Sequence, residues 1–213
     1  MPKETPKQGE LLPVRFDAAT HTYFDDGGRP VPSVTQVLKA GGVYNLDFLP
    51  AEKREAALEL GTRVHWMLQL FDEGKLDVRK LRKPMRGYLK AWRAWKESSG
   101  FIVGRIEHRF ISEFGYAGTA DRLGTFSAAK HIPVLLDLKT GAAIPDWVKI
   151  QLAAYVRGVI VVPAWKFTRR IAFQPFPDGT YNVKEYPPSS MAVDFAKFTE
   201  ALRKTKENNA ANL

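Results

Sequence analysis

Three consecutive runs rich in β-branched and aromatic residues most constrain the fold of this chain. They are FIVGRIEHRFISE, YAGTADRLGTFSA and HIPVLLDLKTG, and they fill the stretch that follows Gly100. Glycine and polar residues break them apart, so the pattern predicts three β-strands. Segments with the apolar spacing of helices flank them at about 52–71, 78–97 and 145–161. We therefore expect an α/β fold in which helices flank a mixed central sheet.

The length of 213 residues fits one domain. Residues 1–12 are polar and rich in proline, and the last eleven residues carry few large apolar groups. Such segments cannot bury enough apolar surface to become ordered. The sequence therefore predicts a disordered tail over 1–12, a single domain over 13–202 and a flexible tail over 203–213.

The charge balance and the absence of cysteine narrow the classes of function. The chain has 32 Lys and Arg against 23 Asp and Glu, a net charge of +9, which favours a polyanionic partner. It has no cysteine, which excludes disulfides, thiolate zinc sites, a cysteine nucleophile and a cysteine-bound iron–sulfur cluster. The first residues lack the apolar stretch of a signal peptide, and no apolar run reaches the roughly 18 residues of a membrane span. We expect an intracellular, cytoplasmic protein with no membrane partner.

The third β-rich run carries two charges within an apolar strand, Asp137 and Lys139. They are two positions apart, so both side chains point to one face of the strand while Leu136 and Leu138 point to the other. Burying a carboxylate and an ammonium is costly unless they pair or bind a metal. Taken alone, this pattern leaves a structural ion pair and a functional site equally open.

Two further carboxylates lie in the preceding β-rich runs. Asp121 stands among small residues that allow another backbone or a ligand to approach closely. If its strand pairs with the next one as a hairpin, Asp121 and Asp137 converge and offer the hard oxygen ligands that Mg²⁺ prefers. Glu107, one strand earlier, is either a third carboxylate of this site or a surface residue.

The helical segments carry three more candidates. Gln151 and Tyr155 are four residues apart and therefore share a helix face with Trp147. This pattern fits a functional site and an ordinary, partly exposed helix face equally well. His65 follows Gly61 by four residues, and the glycine leaves room on the side toward which the histidine points. A single histidine on a helix is either structural or a ligand, and the residues alone leave both open.

A basic segment follows the first of these helices. Residues 75–96 contain nine Lys or Arg and a single acidic residue. Its apolar residues fall on one helical stripe, which we interpret as core rather than as a platform for stacking bases. Arg86, Lys90 and Arg93 fall off this stripe and are predicted to contact DNA phosphates. A merely solvated basic face is the alternative.

Four short segments occur in the same order as the motifs of one nuclease family. They are GTRVH (61–65), GTADRL (118–123), LLDLKTG (135–141) and QLAAY (151–155). Together they resemble the RecB-like branch of the PD-(D/E)XK nuclease superfamily. The earlier segment HTYFDDGGRPVPSVTQVL also resembles phage-type members and the mitochondrial genome maintenance exonucleases. The resemblance implies a restriction-endonuclease-like fold.

The resemblance also implies a catalytic centre formed by Asp121, Asp137 and Lys139. Asp137 stands where many members of the superfamily carry Glu, and Asp is usual in this branch. The two carboxylates would hold one or two Mg²⁺ or Mn²⁺ ions, which neutralise the scissile phosphate and activate water. Lys139 would orient that water or stabilise developing negative charge. The products would carry 5′-phosphates.

The remaining candidates take their roles from the same resemblance. Gln151 and Tyr155 correspond to the QxxxY motif of the branch, beside the catalytic centre. His65 and Glu107 are implied to contribute to the metal site together with Asp121. Several relatives hold an iron–sulfur cluster through cysteines, which this chain cannot do.

The sequence thus predicts a metal-dependent deoxyribonuclease, with an exonuclease of DNA recombination, repair or phage DNA processing as the first expectation. DNA is the expected partner. A single-strand annealing or recombination protein is a second candidate partner. A phage-encoded protein would act in the host cytoplasm. Two alternatives stay open: a catalytically decayed DNA-binding module of the same fold, and a structural ion-pair cluster in a basic protein of another activity.

Overall fold

A small antiparallel sheet opens the part of the chain that the computed structural model describes, which is residues 14–45, 50–159 and 168–211. Its strands are β1 (Arg15–Asp17), β2 (Thr22–Phe24) and β3 (Pro30–Val31). Helix α1 (Val34–Ala40) follows directly. The hydroxyl of Ser33 accepts a hydrogen bond from the Gln36 N–H, and the Gln36 side chain accepts one from the Ser33 N–H. This reciprocal cap fixes where α1 begins.

Two longer helices lie between α1 and the central sheet in the chain. Helix α2 (Ala51–Asp72) follows the predicted periodicity, and helix α3 (Lys83–Ser99) begins late because its first turn contains Pro84. Gly100 ends α3 with a left-handed φ of 70°. The predicted stripe on α3 is buried and forms core, as expected. Its members are Met85, Tyr88, Leu89, Trp92 and Trp95.

The central sheet has five strands in the order β4-β5-β6-β7-β8. They are β4 (Phe101–Ile111), β5 (Ala117–Phe126), β6 (Ala129–Leu138), β7 (Arg169–Pro175) and β8 (Tyr181–Tyr186). Neighbouring strands are antiparallel except β6 and β7, which run parallel and have helix α4 (Val148–Val159) between them in the chain. The predicted mixed sheet is therefore confirmed.

Helices cover both faces of this sheet, and the alternation along β6 separates two cores. Leu135 packs with residues of α1, α4 and α5 (Met191–Ala211). Leu136 and Leu138 pack with residues of α2 and α3 on the opposite face. Because the side chains of Asp137 and Lys139 alternate with these leucines, both charges lie on the α4 side at the end of β6.

Of the two predicted tails, 1–12 and 203–213, the structure describes residues of the second only. The segment 1–12 lies outside the described residues. Helix α5 continues to Ala211, so the predicted boundary at 203 falls inside a helix. Arg203 forms ion pairs with Glu200 and Glu207, and Thr205 is buried, which explains why the helix continues. Within the described part of the chain, no helix combines the length and apolar character needed to cross a membrane.

Candidate active site

Three carboxylates lie side by side on three neighbouring strands. Between β5 and β6 the register pairs Arg122 with Leu136, which sets Asp121 opposite Asp137. Between β4 and β5 the pairs on either side of Glu107 set it opposite Asp121. The sequence-based expectation that a hairpin brings Asp121 and Asp137 together thus has its structural basis in the antiparallel pairing of β5 and β6.

Glu107 reaches this row through an irregularity in β4. The pairing of β4 with β5 shifts by one residue between Val103 and Arg105, a β-bulge that exchanges the two faces of the strand. Glu107 itself has a left-handed φ of 46°, which is rare for a residue with a side chain. Such a conformation costs on the order of 1–3 kcal/mol and persists only when the surroundings enforce it.

His65 completes a set of potential metal ligands. Its Nδ1 lies 3.6 Å from Asp121 Oδ1, and its Nε2 lies 3.2 Å from the backbone oxygen of Leu138. Within the described residues, one group of three or more His, Asp or Glu side chains has donor atoms close enough to share an ion: His65, Glu107 and Asp121, within 4.8 Å of one another. We call these residues the metal-ligand group.

Burial and neighbouring charges shift the pKa values of all three residues of the metal-ligand group. Burial and the charge of Asp121 raise the pKa of Glu107 to about 7. Burial also disfavours ionised Asp121, but His65 and the Leu138 N–H, which donates to Asp121 Oδ2 over 2.6 Å, hold the pKa of this carboxyl below its usual range. Burial opposes protonation of His65, and the adjacent Asp121 charge outweighs it and raises the pKa of the imidazole. A cation placed here would relieve the repulsion between the carboxylates.

Asp137 and Lys139 form a close ion pair beside the metal-ligand group. Lys139 Nζ lies 2.5 Å from Asp137 Oδ2, and Asp137 is buried. Burial raises the pKa of Asp137 to about 6, although the ammonium of Lys139 opposes this. Asp137, predicted as a metal ligand, is not one of the three residues that meet within ligand distance, because one of its oxygens is directed at Lys139. It lines the same groove as they do.

Gln151 and Tyr155 continue this chain of contacts into the protein. Gln151 Oε1 accepts a hydrogen bond of 2.8 Å from Lys139 Nζ, and Gln151 Nε2 donates to the Tyr155 hydroxyl over 3.0 Å. The ring of Trp147 lies 5.3 Å from the ammonium. Burial raises the pKa of Tyr155 well above its ordinary value, so the phenol stays neutral. The shared helix face inferred from the sequence therefore fixes the position of Lys139.

The site opens to solvent through a groove of about 840 Å³. The metal-ligand group, Asp137, Lys139, Gln151 and Tyr155 all line it. Its rim includes Arg109, whose guanidinium lies over the ring of Phe16, and two exposed apolar side chains of α2, Leu58 and Trp66. A groove that combines cations, acids and exposed apolar groups suits a ligand with phosphates and bases.

The predicted DNA contacts lie elsewhere. Arg86, Lys90 and Arg93 are exposed on α3 and line a second concave surface of about 600 Å³, which shares no residue with the groove. Arg86 donates to the backbone oxygens of Leu81 and Arg79, which restricts its guanidinium. The structure does not bring these three residues to the candidate site, and their role in DNA binding stays a prediction.

Two residues beside the site were missed by sequence reasoning, Arg122 and Asp72. Both side chains are completely buried, and Arg122 Nε donates to Asp72 Oδ2 over 2.8 Å. Arg122 Nη1 also contacts Glu107 Oε1 at 3.3 Å. The sequence does contain an indication of this pair. Arg122 is a charged residue next to Leu123 in a buried strand, and such a charge needs a partner, as Asp137 does.

Comparison with known proteins adds a distant structural likeness. No family model and no curated protein matches the chain. Among solved structures, the chain is similar to an alkaline exonuclease from Laribacter hongkongensis, with 11% sequence identity, 84% of this chain and 93% of that chain covered, and a TM-score of 0.31. A likeness this distant does not indicate an activity.

Proposed function

We propose that this protein is a divalent-metal-dependent deoxyribonuclease that hydrolyses phosphodiester bonds and leaves 5′-phosphates. One observation carries the proposal: the metal-ligand group and the Asp137–Lys139 pair line the same groove. A structural ion pair alone would explain Asp137 and Lys139. It would not explain why two more carboxylates and a histidine converge beside them, where their mutual repulsion costs stability.

The donors present fit a divalent cation. Carboxylate oxygens from Glu107 and Asp121 are the hard ligands that Mg²⁺ and Mn²⁺ take, and the imidazole of His65 adds a nitrogen that suits a transition metal such as Mn²⁺. A bound ion would neutralise charge on the scissile phosphate and activate the attacking water. Asp137, in the next strand, is available to extend the ligand set.

Lys139 supplies the positive charge that the reaction needs at a fixed place. Its ammonium contacts both Asp137 and Gln151, and 18% of the side chain is exposed. A cation fixed in this way can orient the attacking water and stabilise the charge that develops on the phosphate without having to reorganise. Its neighbour Trp147 limits the freedom of the side chain.

DNA as the substrate is supported by charge. The chain carries +9 overall, and cations stand both on the rim of the groove and on the exposed face of α3. Such a distribution attracts a polyanion. The order of the four sequence motifs supports exonuclease action in recombination, repair or phage DNA processing, in the cytoplasm, with a single-strand annealing or recombination protein as an admissible partner.

The test is a digest of end-labelled linear DNA, single- and double-stranded, and of closed circular DNA. We expect linear DNA to be degraded with Mg²⁺ or Mn²⁺, to survive in EDTA, and to release products that carry a 5′-phosphate, which a phosphatase removes. Circular DNA should survive if ends are needed. Asp121→Asn should abolish cleavage, whereas Asp146→Asn, which changes an exposed carboxylate outside the groove, should not.

Two results would contradict the proposal. Tight DNA binding without cleavage under any metal would identify a DNA-binding module that has lost its activity. Absence of both metal binding and DNA binding would leave the carboxylates as a structural cluster in a protein of another activity.

A further inference from the structure

We infer that Arg122 is a positioning residue that holds Glu107 at the metal-ligand group, with Asp72 as its anchor. This inference rests on the proposed function, because it concerns the metal site on which that function depends. Asp72 lies at the end of α2, Arg122 in β5 and Glu107 in β4, so the three side chains connect the helix layer to the row of carboxylates.

The contacts of Asp72 make it a rigid anchor. Its Oδ2 accepts from Arg122 Nε over 2.8 Å, and its Oδ1 accepts from Trp92 Nε1 over 3.0 Å and from Lys96 Nζ over 2.8 Å. The side chain of Asp72 is completely buried, and Trp92 belongs to the core beneath the sheet. A carboxylate with three donors in a packed core has one available position.

Arg122 transmits this position to Glu107. Its guanidinium is completely buried, and Nη1 donates to the backbone oxygen of Asp121 over 2.7 Å as well as contacting Glu107 Oε1 at 3.3 Å. A guanidinium is planar, so fixing Nε on Asp72 also fixes the direction in which Nη1 points. The contact to Arg122 uses Oε1 and so does not occupy Oε2 of Glu107.

The backbone conformation of Glu107 explains why a contact that holds its side chain is needed. Its φ of 46° is unfavourable, so without an external constraint this residue would relax toward the ordinary strand conformation. Relaxation would turn the side chain away from Asp121 and His65. The contact with Arg122 opposes that rotation, and the strained residue is the one that belongs to the metal-ligand group.

The experiment measures Mn²⁺ affinity by titration calorimetry on the intact protein, with no DNA and no turnover. Arg122→Lys keeps the positive charge but is too short and has the wrong geometry to bridge Asp72 and Glu107. We expect it to weaken Mn²⁺ binding about 10-fold, the lower end of what lost orienting contacts cost at metal sites. Asp72→Asn, a milder change, should weaken binding in the same direction.

A matched control and a double variant separate positioning from general destabilisation. Arg170 is also completely buried and paired with a buried aspartate, Asp194, but it lies outside the groove. Arg170→Lys should therefore lower the melting temperature without changing Mn²⁺ affinity. If Arg122 acts through Glu107, Glu107→Gln combined with Arg122→Lys should bind Mn²⁺ no more weakly than Glu107→Gln alone.

The outcomes distinguish this inference from the proposed function. Wild-type protein that binds no Mn²⁺ would overturn both. Wild-type protein that binds Mn²⁺ while Arg122→Lys binds it equally well, or while the losses from Arg122→Lys and Glu107→Gln simply add, would overturn only the positioning role.

Discussion

His65 Nδ1 faces Asp121 Oδ1 at 3.6 Å, while the other ring nitrogen lies 3.2 Å from the backbone oxygen of Leu138. When Nε2 carries a proton it donates to that carbonyl. The lone pair of Nδ1 then faces Asp121. This is how metal-binding histidines are oriented in general: the second nitrogen fixes the tautomer and the ring. The arrangement of His65 is compatible with this orientation.

The first prediction concerns this histidine. His65→Ala should leave a folded protein whose cleavage falls and is partly restored by more metal, since one of several ligands is lost. His65→Asn should do no better unless its amide can coordinate. Titrating Mg²⁺ and Mn²⁺ against both proteins, beside a thermal melt, measures this. An unchanged metal titration together with a lowered melting temperature would make His65 a purely structural residue.

The second prediction concerns the charged pair at the end of β6. Asp137→Ala and Lys139→Ala should each reduce cleavage by about 100-fold or more, the typical cost of losing a charge-stabilising group. DNA affinity and the fold should stay nearly unchanged, because neither residue anchors a core. Single-turnover rates and a DNA-binding isotherm at matched salt test this. Retained cleavage in either purified variant would remove the pair from the reaction.

The third prediction is a dependence of stability on pH. The pKa of Asp137 is about 6 in the folded protein, above the ordinary value of 3.8, so the folded state binds the proton more tightly than the unfolded state does. Ionising this group therefore costs stability as the pH rises from about 4 to about 6, and the cost persists above that. Asp137→Asn removes it and should stabilise the protein at pH 7 by about 1–3 kcal/mol.

Denaturant melts in EDTA at pH 4 and pH 7 measure this effect. The advantage of Asp137→Asn over the wild type should be small at pH 4 and grow through pH 6. Asp146→Asn is the control, because the hydrogen bond from Lys149 holds the pKa of the exposed Asp146 below its usual range. An advantage that is equal at both pH values would show that ionisation of Asp137 is not the cause.

The strand that carries Asp137 and Lys139 was predictable because its information is local. Alternation alone assigns both side chains to one face, whereas the pairing with the preceding strand, which brings Asp121 alongside, entered the sequence-based expectation only as a condition. The conformation of Glu107 was not predictable in the same way. It depends on a register shift near Val103 that no local pattern in β4 specifies, and a one-residue shift reverses the face of every residue after it.

The position of the basic segment shows a second limit. The sequence correctly separates the buried stripe of α3 from its exposed cations, because helical periodicity is local. It cannot say on which side of the sheet that helix packs. The helix packs beside α2, and its basic face lines a surface that shares no residue with the groove. The charge of the chain therefore predicts a polyanionic partner but not where that partner would lie.

The fourth prediction tests where that partner lies. Changing Arg86, Lys90 and Arg93 together to Ala should weaken DNA binding and reduce the slope of log K against log salt by up to about 0.9 for each lost phosphate contact on duplex DNA. The rate at saturating DNA should not change, because these residues do not line the groove. An unchanged slope would show that this face is only solvated.

The last prediction concerns Gln151, which accepts a hydrogen bond from the ammonium of Lys139. Gln151→Met keeps the volume but removes the acceptor, so Lys139 should lose its fixed direction, and the rate at saturating DNA should fall about 10-fold with KM unchanged. Tyr155→Phe should have a smaller effect, because the contact between Lys139 and Gln151 remains. Thr205→Val, at a buried hydroxyl on α5, controls for the general loss of a buried polar group. If Gln151→Met melts at a lower temperature yet keeps the full rate, Asp137 alone positions Lys139, and the contact with Gln151 serves only the fold.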